Sequence, residues 1–126
     1  MSKFKILLVD DEADCRETMA LIIKEWGYEV IEASCGREAI DIVMNNNPDI
    51  IILDYMMPDM DGVATLTEIR KINKKIAVIM FTAYPDMKSI KAAKDLNVSV
   101  YTPKLSSYED LRANLETAIH SLEENA

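Results

Sequence analysis

The chain has 126 residues, the size of one domain, and 49% of them are hydrophobic, enough for a single core without disulfide or metal staples. A formal net charge of -8, with both signs mixed along the chain, opposes direct binding to phosphate backbones and excludes low complexity and disorder. The two cysteines, Cys15 and Cys35, form no C-x-x-C pair and the single histidine, His120, stands near the end, so no zinc-ligand spacing is present.

The first apolar run, residues 4–9, is too short for a signal peptide or a membrane span and reads as a buried strand. A soluble, cytoplasmic protein with ordinary reduced thiols is the expectation. Cys15, Met19, Ile22, Ile23 and Trp26 then mark one helical face, ended by Gly27. Residues 28–31 form a shorter, more mixed strand, suited to a sheet edge. Ala39, Ile40, Val43 and Met44 mark a second helix, closed by Asn45-Asn46-Asn47-Pro48. Residues 50–53 are a continuous apolar strand. Asp61 is positioned to cap a third helix with its face on Val63, Leu66, Ile69 and Ile72. Residues 76–81 give a further continuous strand. Met87, Ile90 and Ala93 make a weaker helical stripe, after which Asn97 can serve as a left-handed helix cap. Residues 98–101 form a last short strand. Tyr108, Leu111, Leu115, Ala118 and Leu122 mark the final helix, with Ser107 and Asp110 spaced as a capping box.

Strand and helix alternate five times, which implies an α/β fold with a parallel sheet covered by helices on both faces. The whole of residues 1–126 reads as one domain with no output domain. Ligands of such sheets bind beyond the carboxyl ends of the strands. There the sequence places Asp10, Asp11 and Glu12 after the first strand, Asp54 after the third, Thr82 after the fourth and Lys104 beyond the fifth. Carboxylates crowded together repel, and a divalent cation removes that cost. Magnesium takes oxygen ligands and is commonly held by one or two carboxylates plus a phosphate oxygen. Asp54 is then a candidate nucleophile for an aspartyl phosphate, with Lys104 neutralising the transferring group and Thr82 hydrogen-bonding one of its oxygens. Each residue alone has a plainer explanation. Asp11 and Glu12 suit the positive end of the first helix, Asp54 can begin a polar loop, Thr82 can be a strand-end hydroxyl and Lys104 a solvated charge. Those explanations require four coincidences at one sheet edge.

The runs Ile6-Leu7-Leu8-Val9-Asp10-Asp11-Glu12, Pro48-Asp49-Ile50-Ile51-Ile52-Leu53-Asp54-Tyr55-Met56-Met57-Pro58-Asp59-Met60-Asp61-Gly62 and Phe81-Thr82-Ala83-Tyr84, followed by Tyr101 and Lys104, resemble the receiver domains of two-component response regulators. The resemblance extends from Lys5 to about Leu122. It implies a (βα)5 doubly wound, flavodoxin-like fold with a parallel five-stranded sheet in strand order 2-1-3-4-5. It implies that Asp54 is the phosphoacceptor, with Thr82 and Lys104 assisting. Mg2+ would lie on Asp10, Asp11, Asp54 and the backbone carbonyl of Met56. Thr82 and Tyr101 would form a switch pair coupled to the face made by the fourth helix, fifth strand and last helix. The implied partners are a sensor histidine kinase or histidine phosphotransfer protein and an unknown downstream protein, with no direct nucleic acid and no membrane. The Thr-Ala-Tyr stretch and the missing output domain resemble single-domain sporulation-type phosphorelay regulators. Met56 and Tyr84 would flank the approach of water to the acyl phosphate.

The family usually places proline directly after its lysine, whereas this chain reads Thr102-Pro103-Lys104-Leu105. A cis Lys104-Leu105 bond would cost about 2.5–4 kcal/mol. The expectation is a trans bond there, or a loop rebuilt with Thr102-Pro103 as the cis site. Three other readings remain: a receiver fold used only as a constitutive interaction module, an aspartate-nucleophile phosphatase, and a flavin-binding module. The phosphatase is opposed by the absence of Asp-x-Asp after the first strand, and the flavin module by the lack of a phosphate loop there.

Overall fold

The computed structural model describes residues 4–58, 60–83, 86–104 and 107–124. The elements are β1 (Lys5–Val9), α1 (Ala13–Glu25), β2 (Glu29–Ala33), α2 (Gly36–Asn46), β3 (Ile50–Asp54), α3 (Gly62–Ile72), β4 (Ala77–Thr82), α4 (Met87–Asp95), β5 (Val100–Pro103) and α5 (Tyr108–Glu124). All strand pairs are parallel, and the sheet order is β2-β1-β3-β4-β5. The expected fold and strand order are therefore the observed ones.

Side chains alternate across a strand, so the apolar runs of β1, β3 and β4 supply two cores. On one face Ile6, Leu8, Ile50, Ile52, Ile79 and Phe81 pack against α1 and α5 through Met19, Ile22, Ile23, Leu111 and Leu115. On the other, Leu7, Val9, Ile51, Leu53, Val78 and Met80 pack against α2, α3 and α4 through Ala39, Val43, Leu66, Ile69 and Ala93.

The edge strands run later than their hydrophobicity implies: β2 starts one residue and ends two residues later, and β5 is shifted by two at both ends. β2 begins after Gly27, whose φ of 92° turns the chain, and runs on to Ala33, paired with Val9. Glu32 disguised that end; its carboxylate faces outward and accepts from Arg16 Nε at 3.1 Å. Before β5, Asn97 adopts φ 64° and the Val98 N–H donates to the Ala93 carbonyl, so Val98 completes the helix cap instead of pairing. Asn47 closes α2 in the same left-handed conformation, at φ 52°. No cis peptide bond occurs among the described residues, so Thr102-Pro103 is trans, while the Lys104-Leu105 bond involves a residue outside them.

Candidate functional site

The carboxyl ends of β1 and β3 lie side by side at the centre of the sheet, with Val9 paired to Leu53, and Asp10 and Asp54 project from that edge. Both carboxylates are buried, at 2% and 4% exposure. One oxygen from each of Asp10, Asp11 and Asp54 lies within 4.8 Å of the others, a donor set suited to a hard divalent cation. The loop after β3 is held close by Gly62: a Cβ there would stand 2.7 Å from the Asp54 carbonyl oxygen and 2.8 Å from the Tyr55 Cα. Asp61 caps α3 by accepting from the Ala64 N–H at 2.8 Å.

Lys104 reaches this cluster despite the displaced proline. Its N–H donates to the Thr82 carbonyl at 2.7 Å, which tethers the chain after β5 to the end of β4. Its Nζ lies 2.8 Å from Asp10 Oδ2, 3.3 Å from Asp54 Oδ2 and 3.4 Å from Glu12 Oε1. Burial alone would lower the pKa of Lys104. The Asp10 hydrogen bond and the charges of Asp54 and Asp10 outweigh it and hold the ammonium protonated. Burial pushes the Asp54 carboxyl up to about 6; Lys104 opposes the shift and Asp10 adds to it. Burial, reinforced by Asp10, also pushes the Cys15 thiol to about 11, so this neighbour of the site is a poor nucleophile at neutral pH.

The other expected residues are distributed around the cluster. Thr82 is fully buried at the end of β4. The Met56 N–H donates to Asp54 Oδ1 at 3.3 Å, and its side chain is exposed beside the site. Tyr101, on β5, is half-buried and directs its hydroxyl to Ser89 of α4, not to the acidic cluster. Tyr84 lies outside the described residues.

The response regulator receiver domain family matches residues 6–116. This chain belongs to that family. The receiver is 33% identical over 112 residues to sporulation initiation phosphotransferase F of Bacillus subtilis (strain 168), covering 89% of this chain and 90% of the relative. The sporulation-type resemblance thus extends to a curated relative of similar length. It is 34% identical over 121 residues to the transcriptional regulatory protein ZraR of Escherichia coli (strain K12), covering 94% of this chain but only 27% of that protein. Among solved structures, a chain of the CheX–CheY–BeF3–Mg2+ complex from Borrelia burgdorferi superposes with a TM-score of 0.86 at 28% identity, over 96% of this chain and 90% of the other. No helix among the described residues of this receiver is long and apolar enough to cross a membrane.

One residue at the site, Arg16, went unnoticed in the sequence. Arg16 donates from Nη1 to the Asp10 carbonyl at 2.8 Å and from Nε to Glu32, bracing the loop that carries Asp10 and Asp11. Its side chain is only 16% exposed, but a lone arginine on a helix carries no local sign of such partners. Glu12 is exposed, yet its carboxylate reaches the Lys104 ammonium.

Proposed function

We propose that this receiver accepts a phosphoryl group on Asp54 from the phosphohistidine of a sensor histidine kinase or histidine phosphotransfer protein. The carrying observation is the meeting of three carboxylates within 4.8 Å of one another, with the Lys104 ammonium against Asp54. In the transfer, an Asp54 carboxylate oxygen forms a bond to phosphorus as the P–N bond to the donor imidazole breaks, and the freed imidazole takes up a proton. Asp10, Asp11, Asp54 and the Met56 carbonyl are the donors for Mg2+, whose charge, when bound, offsets that of the phosphoryl oxygens. Lys104 exchanges its contact with the Asp54 oxygen for one with the phosphoryl group, and Thr82 donates to another phosphoryl oxygen. Thr82 and Tyr101 then carry the change to the face of α4, β5 and α5, where affinity for a downstream protein shifts. Because phosphohistidine donors work in the cytoplasm, the same reading locates the receiver there.

The test is intact mass after incubation with acetyl phosphate, with and without Mg2+. A single Mg2+-dependent phosphoryl adduct, absent in Asp54→Asn, is expected. A folded, Mg2+-supplied protein that gains no adduct from acetyl phosphate or from a phosphohistidine donor would overturn the proposal in favour of a constitutive interaction module.

A further inference from the structure

Ser89 and Ala93 are the buried residues of α4, and Ser89 is only 1% exposed. Its hydroxyl oxygen lies 2.7 Å from the Tyr101 hydroxyl, 3.1 Å from the Asp86 carbonyl oxygen and 3.4 Å from the Asp86 nitrogen. Its own N–H donates to Asp86 Oδ1 at 2.7 Å, which makes Asp86 and Ser89 a reciprocal capping box. A serine hydroxyl has one hydrogen and two acceptor positions. All the contacts are met when Ser89 donates to the Asp86 carbonyl and accepts from both the Asp86 N–H and the Tyr101 O–H. The phenol of Tyr101 is then a third member of the cap, reaching it from β5.

We infer that Ser89 is a positioning residue of the switch: through it the Tyr101 hydroxyl holds the first turn of α4, and movement of Tyr101 away from Ser89 releases that turn. The inference rests on the role proposed above for Tyr101. The two ends of α4 are unequally held, which confines the release to one of them. At the carboxyl end, the Arg70 guanidinium donates to the Leu96 carbonyl at 2.9 Å and to the Asn97 carbonyl at 3.1 Å. At the amino end, Met87 is 82% exposed and Ile90 is also exposed, so packing adds little to the cap. A nine-residue helix depends on its cap more than a long one does. The exposed apolar pair Met87 and Ile90 sits on the turn that would loosen, so a partner touching it senses the position of Tyr101.

Amide hydrogen exchange on the full chain, read at Ile90, tests this, because the Ile90 N–H donates to the Asp86 carbonyl across the first turn. Ser89→Ala and Tyr101→Phe should each speed exchange at Ile90 about fivefold, and the double variant should be no faster than either. Beryllofluoride with Mg2+, standing in for the phosphoryl group, should produce the same increase in wild type and none beyond it in Ser89→Ala. Amides of α3 should not change, and Ser89→Ala should take up phosphoryl from acetyl phosphate at the wild-type rate. Additive effects of the two substitutions, or an Ile90 rate unmoved by Tyr101→Phe, would overturn the inference. So would an equal rise throughout α3. An Asp54 adduct with unaltered Ile90 exchange would remove Ser89 alone from the mechanism. Failure of wild type to form the adduct would remove the switch itself, and Ser89 with it.

Discussion

The Asp54 carboxyl combines burial with a neighbouring Asp10 carboxylate, and Lys104 only partly offsets the two. An acid whose pKa is raised in the folded state, here from 3.8 to about 6, binds its proton more tightly folded than unfolded. Above pH 6 the folded protein therefore carries a penalty, which is relieved as pH falls through 6 and is gone below about 4. In Mg2+-free buffer, this residue should make the protein more stable at pH 5 than at pH 7.5 by about 1.4 kcal/mol, roughly half of the whole penalty. Asp54→Asn should raise stability at pH 7.5 and flatten that slope. Urea denaturation in EDTA across pH 5–8 measures both; an Asp54→Asn protein with the wild-type slope would place the linkage elsewhere. Asp10, Asp54, Thr82 and Lys104 were legible because each follows an apolar run at the sheet edge where a parallel sheet binds ligands. Arg16 and Ser89 were not. Their partners, the Asp10 carbonyl with Glu32 and the Tyr101 hydroxyl, come together only once strands are paired, and no local pattern encodes that pairing.

Among the elements, α4 departs most from its sequence pattern. Of its expected stripe, Ala93 faces the sheet but Met87 and Ile90 face solvent, and the small polar Ser89 is buried instead, a substitution that hydrophobic spacing alone cannot reveal. The edge strands were displaced for a related reason: one side of each is open, so Glu32 can stand within β2, and the cap at Asn97 consumes Val98 before pairing begins. The inner strands, covered on both faces, were read with bounds within a residue of those observed. The carboxyl end of α4 is tied to the body by Arg70 of α3. Its guanidinium also donates to the Ile76 carbonyl at 2.9 Å, so one side chain closes the end of α4 and the approach to β4. Arg70→Met keeps much of the aliphatic stem and strands those carbonyls. It should destabilise the protein by about 1–3 kcal/mol, seen as a lower urea midpoint with an unchanged m-value. Amide exchange should rise first at the carboxyl end of α4, the end opposite to that governed by Ser89. A midpoint within error of wild type would show that water replaces the guanidinium without cost.

Across the whole molecule, the central fact is a strongly acidic protein whose three site carboxylates converge on one edge of the sheet. Lys104 supplies one positive charge to that edge, against Asp10, Asp54 and Glu12. A divalent cation held by Asp10, Asp11 and Asp54 binds the folded chain and not the unfolded one, so it should stabilise the fold by RT ln(1 + [Mg2+]/Kd), about 2.7 kcal/mol at a concentration one hundred times Kd. Two causes can raise a thermal or urea midpoint on adding Mg2+: occupation of this site, and general screening of the net charge of -8. They separate cleanly. Screening is reproduced by NaCl at matched ionic strength and survives the loss of any one carboxylate. Site occupation saturates, is reversed by EDTA and fails in Asp11→Asn, which removes a cluster carboxylate that does not pair with Lys104. The expected result is a saturable rise in wild type, reversed by EDTA and nearly absent in Asp11→Asn, with NaCl giving a smaller, unsaturated change in both. If Asp11→Asn and wild type respond to Mg2+ alike, the carboxylates are acting only as part of the general charge, and the metal-dependent phosphoryl chemistry assigned to Asp54 loses its basis.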